Sequence, residues 1–339
     1  MEEDKTGYLI VLPQFKDEYK LITNLLKKVL PEFKPELFPD FVRNSWLDGE
    51  EYAFPIVKEL IIQKENLVSE YGSKIKIIDD KINEIRTNYS FLTNILTSEG
   101  VSEFLVNNVY DVLKFIGYKN VIKADDIVEG NRQEDLRILD DKRFTVVEVK
   151  GHNGNPTEDD CQALLKYISR TMKREGRTDV QGILIVNHQR MLPPLQRNNP
   201  AFTEQQIKDA IRDGYKLVST WELFQSARLL QECILSFEEI DGDLHTPGLF
   251  KAIPSCWKHI GRVEKLLKDK TVACVYLDIE EIRNGNEIIV HDGTNYFKQI
   301  IEEMMVDKKV VTVSKKGEPV SIKINHQISK QTNIYLKIS

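Results

Sequence analysis

Between Val57 and Leu96 the apolar positions recur at alternating steps of four and three residues without a slip. Val57, Ile61, Val68, Tyr71, Ile75, Ile78, Ile82, Ile85, Tyr89, Leu92 and Leu96 fall on one line, interrupted only by Lys64. A 3.5-residue period held that long predicts a coiled coil, a rod of ~60 Å at 1.5 Å rise per residue. The seam would close against another helix, in a second chain or in a hairpin. The competing expectation is a long helix lying on the protein's own core, with Gly72 as a point where it would break.

Beyond Ser98 the rhythm changes. Val101 to Phe115 is amphipathic and Gly117-Tyr118 supplies a glycine stop. Asn120–Ala124, Glu134–Leu139 and Phe144–Lys150 alternate as strands, the last two joined by the tight turn Asp140-Asp141-Lys142-Arg143. Thr157 and Asp160 form a capping pattern that opens a helix to about Lys173, and Gln181–Val186 is a continuous apolar run that predicts a buried strand. A helix (Thr203–Arg212), a strand (Tyr215–Val218) and a helix (Trp221–Cys233) follow. The order αβββαβ(αβα) predicts a mixed sheet flanked by helices. Asp241-Gly242-Asp243, Pro247-Gly248 and Pro254 read as a linker, and the short alternating segments beyond it predict a small β-barrel. Tyr8–Leu12 looks like a strand in an otherwise uninformative N-terminal stretch.

Composition adds limits. The net charge of −6 argues against a histone-like coat for nucleic acid. The basic residues are nonetheless concentrated, with Lys166, Arg170, Lys173, Arg174, Arg177, Arg190 and Arg197 between 162 and 197 against only Glu175 and Asp179. Lys166, Arg170, Lys173 and Arg177, with Gln162, are spaced to share one helical face, as a phosphodiester backbone would require. The four cysteines are scattered, so a zinc site or disulfide framework is not expected. Absence of a long apolar run or a leader-like start predicts a cytoplasmic chain with no membrane association.

The stretch "FTVVEVKG", Phe144 to Gly151, places Glu148 and Lys150 on one face of a strand that otherwise reads as buried. A two-residue turn at Asp141-Lys142 makes paired residue numbers sum to 283 and sets Asp135 opposite Glu148. Two carboxylates across a ladder repel unless something cationic lies between them, and a divalent metal with Lys150 beside it would serve. The plain alternative is a solvated ion pair, Glu148 with Lys150 or with Arg137. His188 reads as an ordinary polar loop residue.

These residues resemble the PD-(D/E)XK, or restriction-endonuclease-like, nuclease superfamily over about Ser98 to Cys233. Asp135 stands at its strand acid, Glu148-Val149-Lys150 at its (D/E)xK positions, Glu103 at its helix glutamate and Gln162 at the polar position of its next helix. Lys166 stands where that helix pattern usually has tyrosine, and Tyr167 comes one residue later. The resemblance implies a Mg²⁺- or Mn²⁺-dependent nuclease. Asp135, Glu148 and the Val149 carbonyl would hold metal, Lys150, Glu103 and Gln162 would assist catalysis, and nucleic acid, DNA before RNA, would be the substrate. The stretch from about Ser255 to Asn325 resembles the second β-barrel domain of translational GTPases at Gly261, Val263, Gly285, Gly293 and Gly317, without any GTPase motif. Such barrels dock RNA ends or protein.

The expected fold is multidomain α+β. It comprises an N-terminal segment (1–54), a coiled coil (55–97), a nuclease domain with an αβββαβ core (98–240), a linker (241–254), a barrel (255–326) and a tail (327–339). The expected assembly is a homodimer or higher oligomer through 57–96. The expected function is nucleic-acid hydrolysis, in defence against foreign nucleic acid by family habit. The alternatives are a non-catalytic nucleic-acid-binding adaptor and an RNA- or ribosome-associated factor dominated by the barrel.

Overall fold

The computed structural model describes residues 18–38, 51–97, 99, 102–124, 134–140, 143–254, 257–267, 271–293 and 295–337. The strand expected at Tyr8–Leu12 lies outside them. The chain divides into two compact units, 1–85 and 86–339.

In the first unit, short helical turns between Glu18 and Leu37 precede one long helix, Pro55–Asn88, which runs on into the second unit. Pro55 opens it at a position where its missing N–H is no loss, and the Phe54 carbonyl accepts from Val57 and Lys58 N–H. Gly72 sits within it, so the expected break does not occur, although glycine there costs about 1 kcal/mol relative to alanine. Every residue from Pro55 to Asn88 is exposed. The expected rod to Leu96 is corrected at its end. A separate helix, Ser90–Asn94, follows, and Leu92 and Ile95 are buried in the core of the second unit.

The second unit is mixed α+β. Its six-stranded sheet has the order β1 (Val121–Lys123), β2 (Leu136–Leu139), β3 (Phe144–Gly151), β4 (Val180–Asn187), β5 (Tyr215–Ser219), β6 (Gly248–Leu249). Pairing is antiparallel from β1 to β3 and parallel from β3 to β6. One face packs against helix Ser102–Ile116, which buries Leu105, Val109 and Val112, and against Thr220–Gln231 and Phe237–Leu244. The other face carries Glu158–Glu175 and Glu204–Asp213. Helix Glu158–Glu175 comes close because β4 has Gly182 beneath it. A Cβ there would stand 2.4 Å from Ile168 Cδ1.

Two boundaries and the closure of the barrel differ from expectation. Residues 241–254 are not a linker: they include the end of helix Phe237–Leu244 and strand β6, and Phe250 behind it is fully buried. Gly and Pro signalled chain turns there, but the apolar residues between them were too few to read as an edge strand. The tail also proves structured, since Asn333–Leu336 forms β16, a strand between β10 (Glu287–His291) and β7 (Lys258–Leu267). The eight-stranded C-terminal sheet curls without its two outermost strands, β11 (Tyr296–Ile300) and β13 (Lys309–Val311), pairing with each other. It is an open half-barrel among the described residues.

Ile289, Tyr296 and Trp257 of this half-barrel join the apolar cluster of the central sheet. Glu239 fastens the contact by accepting from Trp257 Nε1 at 3.0 Å and Lys337 Nζ at 3.0 Å. A module that read as self-contained therefore shares its packing. Inside it, β7 crosses β8 (Val272–Tyr276) so closely at Gly261 that a Cβ would lie 2.3 Å from the Tyr276 carbonyl oxygen. Backbone cannot yield as a flexible side chain can. Gly261→Ala should lower stability by on the order of 2–3 kcal/mol in urea unfolding, whereas Gly154→Ala, with open space at its Cβ, should leave the midpoint nearly unchanged.

Candidate active site on the central strand

β3 alternates as its sequence dictates. Phe144 and Val146 enter the core beneath helix Glu158–Glu175, while Val147 and Val149 enter the opposite core. Glu148 follows Phe144 and Val146 on the helix-covered face and is 1% exposed. The ladder pairs Leu136 with Val147 and Leu139 with Phe144, which is the expected sum of 283. One step further sets Asp135 beside Glu148. The last pair lies outside the regular ladder, and Asp135 fixes itself instead by accepting from Val149 N–H at 2.7 Å. Val149, expected to contribute its carbonyl, meets Asp135 through its N–H.

Lys150 stands at the strand's end with its side chain about one-third exposed, and its Nζ is ion-paired to Glu148 Oε1. The other oxygen, Glu148 Oε2, is buried with no hydrogen-bond partner. Burial pushes the Glu148 carboxyl up to about 7, the Asp135 charge adds to that, and Lys150 opposes it. Burial pulls the Lys150 ammonium down, but the facing Glu148 and Asp135 carboxylates outweigh it and hold it above its ordinary value. The Arg137–Glu148 pair does not form: Arg137 Nε is bound to buried Glu134 at 2.6 Å.

The remaining expected residues lie on or just past the flanking helices. Glu103 is exposed on the first turn of its helix. Gln162 is exposed and donates to Glu158 Oε1 at 3.2 Å. Lys166, Arg170 and Lys173 do face outward. Arg177 does not share their helix, because Gly176 at φ 66° ends it; Arg177 pairs with Asp179 at 2.6 Å and lies over the Phe144 ring. Tyr167, one residue past the position where the family pattern has tyrosine, has a hydroxyl whose pKa burial and Glu148 together push up. Glu134, which the sequence marks only as the start of a strand, adds to the negative field at Glu148.

Among the described residues no group of three His, Cys, Asp or Glu side chains could hold a metal ion. The orphaned Glu148 oxygen beside Asp135 nevertheless suits a hard cation that takes one or two protein carboxylates and keeps its waters. Among the described residues no helix is long and apolar enough to cross a membrane.

No family model matches the chain. A protein of Methanocaldococcus jannaschii named an uncharacterized protease is 32% identical over 78 residues, covering 23% of this chain and 19% of its own. The chain thus spans about a fifth of that relative's length. Among solved structures, the C-terminal domain of a Geobacillus thermoleovorans protein described as a U32 peptidase is 16% identical. It covers 23% of this chain and 96% of its own, at a TM-score of 0.21. The restriction endonuclease FokI is 15% identical over 51% of this chain and 34% of its own, at 0.35. The translation elongation factor SelB of Methanococcus maripaludis is 13% identical over 56% of this chain and 41% of its own, at 0.20. At these TM-scores none of the three carries an argument. The expectation of a metal-dependent, DNA-cutting nuclease is overturned by the curated match, which is named a protease.

A stability test follows from the buried acid. Glu148 has a folded pKa of about 7, above its ordinary 4.5, so the folded chain holds a proton that the unfolded chain releases between those values. Stability is therefore lost as pH rises from about 4.5 to 7, by on the order of 2–3 kcal/mol. Glu148→Gln cannot ionise. Its urea midpoint should exceed the wild-type midpoint at pH 8, and the gap should close by pH 4.5.

Proposed function

We propose that the chain is a hydrolase of the protease-like kind, with Glu148, Asp135 and Lys150 as its reacting groups. The observation that carries this reading is the Glu148 carboxylate, buried yet unsatisfied at one oxygen and titrating near neutral pH. A base poised there can take a proton from water in the same pH range in which cells work. Lys150, at the mouth of the strand, is close enough to steady negative charge as it develops on the attacked group. Asp135, held by the Val149 N–H, keeps the Glu148 proton affinity high. Peptides are the first substrate class to try, because the curated relative is named a protease.

Glu148 and Asp135 would also hold a divalent cation. When bound, it would supply Lewis-acid polarisation of the scissile group.

A second reading is favoured by the extent of the match. Its 78 residues are the size of the half-barrel and cover 19% of the relative. On this reading the half-barrel is the shared part and serves to dock a substrate or partner protein, whatever the central site does.

The test is a peptide pool incubated with the full chain and read by mass spectrometry. Wild type should cleave, with rates rising as pH passes about 7 and Glu148 loses its proton. Glu148→Gln should be inactive, and Lys150→Ala should lose 10²–10³ in turnover, on the order of 3 kcal/mol. No cleavage by wild type, or equal cleavage by Glu148→Gln, would sink the proposal. Separately, Mn²⁺ should raise the thermal midpoint of wild type but not of Asp135→Asn.

A further inference from the structure

The helix Pro55–Asn88 presents an apolar stripe to solvent along its whole length. Val68, Tyr71, Ile75, Ile78 and Ile85 are each more than half exposed. A shallow groove of about 620 Å³ runs along its middle, lined by residues from Leu60 to Ile75. We propose that this face is the seam of an antiparallel coiled coil with a second copy of the chain, centred between Ser69 and Glu70.

The extent suits a dimer. With residues 55–84 of the helix overlapping their mates, the shared strip is ~45 Å long and ~10 Å wide, so two facing strips would bury about 900 Å², close to the ~1,000 Å² at which specific interfaces begin.

Charge selects the orientation. In a parallel pair Lys64 would face Lys64 of its mate inside the seam, and Lys81 would flank Arg86. Only Lys74 with Asp79 would attract, and Lys74 is already paired within its own helix to Glu70 at 2.6 Å. In an antiparallel pair, opposed seam residues have numbers summing to a constant. A sum of 146 sets Glu65 near Asp79 and Lys58 near Arg86, both repulsive. A sum of 139 removes every like-charge contact. It opposes Val57 with Ile82, Ile61 with Ile78, Lys64 with Ile75 and Val68 with Tyr71. On its flanks Lys58 meets Asp79 twice by symmetry, and the stems of Lys74 and Lys81 cover Leu67 and Leu60. The midpoint of that register falls on the groove.

Sedimentation equilibrium of the full chain over a micromolar series tests this directly. Wild type should dimerise, and Ile75→Asp with Ile78→Asp should leave a monomer whose circular dichroism still reports a folded second unit. Lys58→Glu alone and Asp79→Lys alone should each weaken the dimer about tenfold, since each turns two attractions into repulsions. The double variant should recover wild-type affinity, because the swapped pair attracts again. In a parallel dimer Lys58 has no contact with residue 79 and the double variant would stay weak, which would overturn the register. A monomeric wild type at every concentration would overturn the interface itself.

Discussion

A carboxylate with almost no solvent contact, on a strand in the middle of a sheet, is the constraint around which the central domain is arranged. Two neighbouring groups offset the cost of that burial. Lys150 neutralises one oxygen. Asp135 raises the pKa and so favours the protonated form. The covering helix excludes the water that would otherwise solvate the charge, and it sits close because β4 offers Gly182 in place of a side chain. A structural sheet core would carry leucine at this position at no such cost. That a charge-capable group is retained there, with an oxygen left unsatisfied, is the physical basis for reading it as a reacting group.

The position of the cluster agrees with the topology. β3, β4 and β5 run parallel, and in open parallel sheets ligands gather outside the carboxyl ends of the strands. Lys150 sits next to the last residue of β3, and Asn187 closes β4 opposite Gly151. Asn187 is itself buried, with Arg197 Nη1 on its side-chain oxygen at 2.8 Å and its amide on the Thr97 carbonyl at 3.0 Å. The loop after β4 is thus tied back to the turn after helix Ser90–Asn94. On the far side of the sheet, Asp241 gathers Tyr118, Arg143 and His245, and the last of these reaches Thr145 at 3.2 Å. Thr145 is buried under this network. It anchors helix Phe237–Leu244 to β3 and offers no open nucleophile.

What could be read from the chain, and what could not, divides by range. The β2–β3 register was legible because a two-residue turn fixes it arithmetically, and Glu148 and Lys150 followed from period-two alternation. Thr157 and Asp160 marked their helix start through local hydrogen bonding, Asp160 Oδ2 accepting from Thr157 N–H at 2.7 Å. Most of the failures were tertiary. Tyr89, Leu92 and Leu96 continued the heptad spacing of the rod, yet the structure takes Leu92 into the core, because spacing cannot say which partner a stripe meets. Strands β6 and β16 are too short to carry a pattern, and only pairing with distant strands defines them. Arg177 had the right spacing for a basic face but lay past Gly176, where helical spacing no longer applies. The resemblance to a nuclease family rested on three residue types at a spacing that fixes the geometry of a site and leaves its substrate open.

The half-barrel and the rod meet opposite demands with the same kind of surface. Ile289, Tyr296 and Trp257 are apolar groups of one module buried in the cluster of the next, and Glu239 anchors that seam with a carboxylate shared by an indole and an ammonium. The association needs no second molecule. The rod has an equally apolar stripe, none of whose residues is buried. A solitary helix gains little from propensity alone, since most helical stability in proteins comes from packing an amphipathic face. Val68, Tyr71, Ile75 and Ile78 would each forgo the roughly 1.5–3 kcal/mol that full burial of such side chains can contribute. A chain that places four of them in phase along 34 residues, flanked by charges that avoid every like-charge contact when a second copy runs antiparallel beside it, has most of an interface already encoded in a single helix.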